Sequence, residues 1–177
     1  MNDYWSIILS ELSAVNVTVT DEFAQLVKNA NQVFVFGAGR SGLAIKAFAM
    51  RLSQLGKPAF VVGETTNPPI GDGDLFTVAS GSGTTSQAIT LADKAKVTGA
   101  KVALITASPD SPLAATADLV TNLGGKAKYD NDSSTVQPMG SLFEQSVFIF
   151  GDAFVLKYMN DFQVSETDMQ KRHANLE

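Results

Sequence analysis

Short apolar runs alternate with helical stretches from Gln32 onward, and this alternation most constrains the fold. The runs are 33–38, 59–63, 75–80, 101–106 and 119–124. They are almost continuously apolar, which is typical of strands buried on both faces of a parallel sheet. Helices are predicted in the gaps at 41–55, 85–98 and near Leu113. We therefore expect an α/β three-layer sandwich in which a five-stranded parallel sheet is flanked by helices.

The rest of the chain adds helices at both ends of this pattern. A helical pair, 2–15 and 21–30, precedes the sheet, and a long helix at about 141–159 and a short polar helix follow it. The 177 residues suit one domain at the usual 100–200 residues per domain. We expect a single domain over 1–177, with N-terminal helices in 1–30, the core sheet in 32–124 and C-terminal helices in 140–177. The polar stretch 124–140 has no period, and the sequence leaves open whether it is a lid.

Composition excludes several kinds of site and partner. The chain has no cysteine and one histidine, which excludes disulfides, thiolate nucleophiles and multi-histidine metal sites. Carboxylate-only magnesium binding has no obvious cluster to support it, so no metal is expected. A net charge of -5 argues against nucleic acid. With no signal peptide at the start and no apolar run long enough to cross a bilayer, we expect a cytoplasmic chain without a membrane partner.

A first glycine turn follows the strand at 33–38. "GAGRSG" contains G-x-G-x-x-G, formed by Gly37, Gly39 and Gly42, which is the dinucleotide fingerprint. An acidic residue, Glu64, ends the next apolar run. A dinucleotide cofactor is not expected, because too little chain remains for a catalytic half.

A second turn, "SGSGTT" at 80–85, repeats the strand–turn–helix pattern. Glycines let a ligand approach the backbone, helix N-termini offer unpaired N–H groups, and hydroxyls add neutral donors. Both turns lie at the carboxyl ends of strands, where open α/β sheets bind ligands. No lysine follows the glycines, so neither turn is a P-loop. The two turns together predict one phosphate site; the alternative is ordinary tight turns with N-cap serines. The phosphate-binding candidates are Gly39, Arg40, Ser41, Ser80, Ser82, Thr84 and Thr85.

These motifs resemble those of the SIS (sugar isomerase) domain, whose hallmark is a hydroxyl-rich phosphate loop. "GAGRSG", "FAMRL", "VGETT", "SGSGTT", "QPMGSLFEQ" and "RHANLE" together resemble the 6-phospho-3-hexuloisomerase family. The resemblance covers nearly the whole chain, and the N-terminal helices are its least distinctive part. It implies a SIS fold of the flavodoxin or Rossmann type.

The resemblance also implies an activity and partners. The activity is isomerisation of D-arabino-hex-3-ulose 6-phosphate to fructose 6-phosphate, in the ribulose monophosphate pathway of formaldehyde fixation. The implied protein is a homotetramer without metal or organic cofactor, and 3-hexulose-6-phosphate synthase is a separate chain. Two alternatives stay open. One is another phosphosugar aldose–ketose isomerase, and the other is a non-catalytic sugar-phosphate-binding module.

Moving a carbonyl from C3 to C2 needs a base for the carbon-bound proton. The candidate is Glu144, in "PMGSLFEQSVFIF", where phenylalanines and aliphatic residues flank it. The alternative is structural, because Ser141 and Glu144 fit the S-x-x-E capping box that begins a helix. The two roles could coexist.

A second group must move protons between the hydroxyl oxygens. Imidazole titrates closest to neutral pH, which favours His173, although a lone histidine in a polar tail is usually just solvated. SIS isomerases of the kind resembled here supply such a histidine from a C-terminal segment, often into a neighbouring subunit. Arg40 lies where a helix dipole disfavours a cation, so either a bound anion or plain exposure explains it. Glu64 is a candidate for binding sugar hydroxyls.

Overall fold

The computed structural model describes residues 3–125 and 135–176. Its strands are β1 (Val33–Gly37), β2 (Ala59–Val61), β3 (Leu75–Ala79), β4 (Lys101–Thr106) and β5 (Leu119–Asn122). Its helices are α1 (Tyr4–Ala14), α2 (Asp21–Asn29), α3 (Gly39–Gln54), α4 (Ser86–Val97), α5 (Pro112–Thr116), α6 (Ser141–Phe162) and α7 (Glu166–Gln170). Every strand and helix expected from the sequence is present, with bounds that differ by a few residues.

The five strands form one parallel sheet in the order β2-β1-β3-β4-β5. Val35 of β1 lies between Val61 of β2 and Thr77 of β3. The chain order reverses between β1 and β3, and a crevice opens at such a switch point, beyond the carboxyl ends of the strands. The expected α/β fold with a five-stranded parallel sheet is therefore confirmed, and its order is that of flavodoxin.

Alternate residues of the central strands pack into two separate cores, which makes the structure three-layered. Val33 and Val35 of β1 face the core formed with α2, α3 and α6, whereas Phe34 and Phe36 face the core formed with α4 and α5. The apolar runs lack polar alternation because both faces of these strands are covered.

Aromatic rings join the helices of the larger core. The ring of Phe23 in α2 meets Phe150 and Phe154 of α6 edge-on, at centroid distances of 5.1 and 5.6 Å. Phe48 of α3 meets Phe154 at 5.1 Å, also edge-on. Such pairs stabilise by about 1 kcal/mol beyond the area they bury. They fix α6 against α3, and the N-terminal ends of these two helices belong to the same site.

Two segments differ from the sequence expectation or fall outside the description. Helix α6 runs to Phe162, three residues past the expected end, and Gln163 ends it in the left-handed conformation. Of the long stretch 124–140, residues 126–134 lie outside the described residues. Within the described ranges, no helix has the length and apolarity needed to cross a membrane.

Candidate active site

A cavity of about 900 Å³ lies at the carboxyl edge of the sheet. Its wall comes from three segments that each lead into a helix: the β1–α3 turn at 38–41, the β3–α4 turn at 79–86, and the start of α6 at 139–144. The two glycine turns predicted to share a phosphate therefore do meet in one cavity.

Close backbone contact shapes the β1–α3 turn. A Cβ atom at Gly42 would collide with the carbonyl oxygen of Gly37, and a Cβ at Gly37 would lie 2.9 Å from the Gly42 nitrogen. Gly39 begins α3 with φ +58°, a backbone conformation that residues other than glycine rarely adopt. The fingerprint glycines thus let β1 turn directly into α3, so that Arg40 and Ser41 reach the cavity on the first turn of the helix.

Hydroxyl groups organise the β3–α4 turn. Ser80 is 5% exposed, and its Oγ accepts from the Gly83 N–H at 3.2 Å and lies 3.4 Å from Thr85 Oγ1. Ser82 Oγ accepts from the Thr84 N–H at 3.3 Å and from Thr84 Oγ1 at 2.9 Å. These internal hydrogen bonds hold the shape of the loop.

The start of α6 corrects one sequence interpretation. Gly140, in the left-handed conformation with φ 81°, is the N-cap, and no side chain caps the helix. Ser141 is the first helical residue, and its Oγ donates to the Pro138 carbonyl at 2.7 Å. The capping-box interpretation of Ser141 and Glu144 is therefore wrong, because Glu144 lies one residue too far into the helix and has another partner.

That partner is Arg40. Its Nη1 donates to Glu144 Oε2 at 2.8 Å. The Glu144 side chain is 16% exposed and the Arg40 side chain is 53% exposed. The anion that makes a cation acceptable in the first turn of α3 is therefore a carboxylate of this chain.

Three helices direct uncapped N-termini at the cavity. Helices α1, α2, α5 and α7 have N-cap side chains that accept from a backbone N–H. Helices α3, α4 and α6 have N-caps without such a bond. Each uncapped start keeps backbone N–H donors and the positive end of the helix dipole available to a ligand. The cavity is therefore suited to an anion.

Two predicted site residues lie elsewhere in the same chain. Glu64 is outside the cavity wall, with its side chain 61% exposed and 3.8 Å from Lys46 Nζ. His173 follows Arg172, whose Nη1 donates to the Gln54 carbonyl at the C-terminal end of α3. The cavity lies at the other end of α3, about 24 Å away at 1.5 Å per residue. The structure does not bring His173 to Glu144 within one chain.

Several wall residues had no predicted role. Met139 has φ 60°, an uncommon value for a residue other than glycine, and it lines the cavity together with Phe143. The "QPMG" motif pointed to this segment, but only as part of the family resemblance. Across the described part of the chain, the structure has no group of three or more His, Asp or Glu side chains arranged to hold a metal ion.

Comparison with known proteins identifies the family of this chain. The SIS domain matches residues 26–148. A 3-hexulose-6-phosphate isomerase of Bacillus subtilis is 42% identical over 181 residues, covering 99% of this chain and 98% of the relative. One of Methylomonas aminofaciens is 40% identical over 181 residues, covering 100% of each.

A solved structure extends the match to the fold. It is from Methanococcus jannaschii, and a molecular function of 3-hexulose-6-phosphate isomerase was inferred from it. It superposes with a TM-score of 0.84 at 30% identity and covers 99% of this chain and 100% of that chain. The resemblance read from the motifs is thereby confirmed. The chain belongs to the SIS domain family and, within it, to the 3-hexulose-6-phosphate isomerases.

Proposed function

We propose that this protein converts D-arabino-hex-3-ulose 6-phosphate to fructose 6-phosphate through a 2,3-enediol, in the ribulose monophosphate pathway of formaldehyde fixation. One observation carries the proposal: a glutamate lies in the same cavity as three uncapped helix N-termini. The helix ends suit a phosphate, and the carboxylate suits the carbon-bound proton. The relatives named 3-hexulose-6-phosphate isomerase supply the choice of sugar.

The phosphate binds between the two glycine turns. The first-turn N–H groups of α3 and α4 donate to it, together with hydroxyls from 80–85 and Ser41. The Thr85 hydroxyl suits this role because Thr85 is the N-cap of α4 and yet does not cap the helix. Neutral hydroxyls and helix ends replace the lysine of a P-loop, which suits a single phosphate better than a triphosphate.

Glu144 is the base. It takes the proton from C2 of the hexulose phosphate, the electron pair forms the 2,3-enediol, and the proton returns at C3 as the carbonyl forms at C2. Arg40 lies 2.8 Å from the carboxylate, so its remaining N–H groups can bind the oxygen that gains charge. No metal or organic cofactor is needed for these steps.

His173 moves the proton between the two hydroxyl oxygens, and it comes from a neighbouring subunit. The support is its position at the far end of α3 from the cavity of its own chain. A cavity completed by a second chain requires an oligomer, and we propose a homotetramer. In that assembly we propose that Glu64 binds sugar hydroxyls at the edge of a neighbouring subunit's cavity.

Exposed apolar side chains on two helices support assembly. On α6, Phe148 is 51% exposed and Leu156 is 71% exposed. On α1, Tyr4 is 71% exposed and Trp5 is 69% exposed. We propose that neighbouring subunits cover these side chains, since contiguous apolar surface of a few hundred Å² or more marks interaction sites.

The chain acts as one SIS domain, because α2 before the sheet and α6 after it share one aromatic core. The reaction takes place in the cytoplasm, where phosphorylated sugars are retained. 3-Hexulose-6-phosphate synthase, acting as a separate chain, supplies the substrate.

The test is proton NMR of fructose 6-phosphate incubated with the protein in heavy water without added cofactor. The expected result is deuterium at C3 and the appearance of a 3-ketohexose phosphate. Deuterium at C1 with an aldose product would replace the reaction with aldose–ketose isomerisation. Binding without exchange or product would favour the sugar-phosphate-binding module.

A further inference from the structure

Glu11, on α1, binds three consecutive residues that lie next to the cavity wall. Its Oε2 accepts from Thr135 Oγ1 at 2.6 Å and from Gln137 Nε2 at 2.8 Å, and its Oε1 accepts from the Val136 N–H at 2.8 Å. Thr135 and Gln137 are each 8% exposed, and the Gln137 N–H donates to Thr135 Oγ1 at 3.0 Å. One carboxylate from a distant helix thus holds the whole segment 135–137.

The path from this segment to the cavity is short and stiff. Pro138 follows directly, and its carbonyl accepts from both the Ser141 N–H at 3.0 Å and Ser141 Oγ. Met139 and Gly140, which lie between Pro138 and Ser141, both have left-handed backbone conformations, with φ 60° and 81°. A left-handed residue other than glycine persists only where its surroundings hold it, and such residues occur at functional sites.

We propose that Glu11 is a positioning residue of the active site, which holds 135–137 in place and thereby fixes the cavity wall at 139–141 against the bound sugar phosphate. The proposal rests on the proposed function and deepens it. Glu11 itself lines no part of the cavity. Its effect passes through backbone that does.

A carboxylate is the side chain this place requires, since donors face both of its oxygens. The hydrogen bond from Thr135, the largest effect, and those from Gln137 and Val136 lower the pKa of Glu11, although partial burial opposes them. Alanine offers no acceptor. Glutamine can keep the bond to the Val136 N–H while its amide group meets Thr135 and a turned Gln137 amide, so it keeps part of the arrangement.

The kinetic test compares Glu11→Ala and Glu11→Gln with Glu22→Ala, a matched change at an exposed glutamate of α2. The rate of deuterium exchange at C3 is measured against fructose 6-phosphate concentration. We expect Glu11→Ala to lose about 10- to 100-fold in kcat/KM, mainly as a rise in KM, because the wall that meets the substrate moves. The kcat/KM of Glu11→Gln should lie between those of Glu11→Ala and the wild type, and that of Glu22→Ala should match the wild type.

The split between KM and kcat separates positioning from stability. A purely structural role lowers the fraction of folded enzyme, which reduces apparent kcat and leaves KM unchanged. Glu11→Ala with wild-type KM would therefore overturn the proposal.

A second measurement, amide hydrogen exchange of peptides covering 135–141, does not depend on turnover. Faster exchange there in Glu11→Ala than in Glu22→Ala supports the proposal, and equal exchange overturns it. An inactive wild type with this local difference would defeat the proposed function and leave the holding role of Glu11 standing.

Discussion

Arg40 Nη1 donates to Glu144 Oε2 at 2.8 Å, a bond between residues 104 positions apart that joins the N-terminal ends of α3 and α6. It places a fixed positive charge beside a carboxylate that is only 16% exposed. A charge fixed before reaction stabilises a developing enediolate without the cost of reorienting solvent. In the mechanism that we propose, the two side chains have different roles, and substitutions should distinguish them.

Replacing Glu144 with Gln should stop catalysis and leave the fold intact. Glutamine can still accept the Arg40 hydrogen bond, and no capping box is lost, but an amide cannot take the carbon-bound proton. We expect deuterium exchange at C3 of fructose 6-phosphate to fall by about 10²–10⁴-fold. Calorimetric titration should show that fructose 6-phosphate still binds. Exchange within tenfold of the wild-type rate would place the base elsewhere.

Replacing Arg40 with Met should lower kcat more than it lowers stability. Methionine keeps the length of the side chain but removes the donor to Glu144 and the charge beside the enediolate. Loss of one such donor costs about 10²–10³-fold in kcat. Arg40→Lys should fall between, because lysine keeps the charge and loses the planar fork.

The control for Arg40 lies on the same helix. Arg51 Nη1 donates to Gln54 Oε1 at the C-terminal end of α3, away from the cavity. Arg51→Met should therefore keep wild-type kcat. Equal losses in Arg40→Met and Arg51→Met would mean that damage to α3, not the loss of a charge at the site, explains both.

The sequence predicted those features of the site that depend on residues close together in the chain. It did not predict the features that depend on contacts between residues far apart in the chain. Each glycine turn lies within a few residues of the strand before it and the helix after it. The spacing of Gly37 and Gly42 therefore predicted the first turn, and the "SGSGTT" motif predicted the second. The pairing of Arg40 with Glu144 depends on how α3 and α6 pack, which spacing does not reveal. The local S-x-x-E spacing also left a capping box at Ser141 open as an alternative, which the structure excludes because the left-handed Gly140 is the N-cap.

The end of α6 and the role of α1 were hidden for the same reason. The last turn of α6 is polar in sequence, yet Phe162 packs on Tyr158 at 4.6 Å between ring centroids, and Lys28 Nζ lies 5.1 Å from the Phe162 ring centre. Tyr158 lies one turn earlier on the same helix, whereas Lys28 belongs to α2, so the contact that the local pattern of α6 could not reveal is the one with Lys28. Glu11 likewise gains its role from residues more than 120 positions away.

Mixing two inactive variants should restore activity if His173 acts in a neighbouring subunit. Glu144→Gln lacks the base and His173→Ala lacks the proton shuttle, so each alone should lose about 10²–10⁴-fold in rate. Co-expressed, the two chains assemble into mixed oligomers, in which about one site in four combines an intact glutamate with an intact histidine by random assortment.

The measurement is the specific rate of C3 deuterium exchange for the purified mixed oligomer, with the two single variants mixed after folding as the control. Recovery toward a quarter of the wild-type rate supports a shared site. No recovery, in an oligomer shown by native mass spectrometry to contain both chains, would return His173 to its own subunit or remove it from catalysis.

Ionisation of Asp118 should make the free energy of unfolding depend on pH in the acid range. Its carboxylate accepts from Lys96 Nζ at 2.7 Å, the Val102 N–H at 2.8 Å and Lys101 Nζ at 3.4 Å, which joins the start of β5 to β4 and α4. Partial burial opposes ionisation, but these bonds outweigh it and lower the pKa of Asp118 below its ordinary 3.8. The stabilisation is thus complete above pH 3.8 and is lost as the pH falls through the folded-state value.

Asp118→Asn tests this directly. Asparagine can keep the bond to Val102 but loses both lysine pairs, so we expect a loss of about 1 kcal/mol in unfolding free energy at pH 7. Urea denaturation at fixed protein concentration measures it, and Asp110→Asn, at an exposed aspartate, is the control. The difference in unfolding free energy between Asp118→Asn and the wild type should decrease steadily as the pH falls below 3.8. A difference that stayed constant with pH would mean that the ionised carboxylate is not what joins β4 to β5.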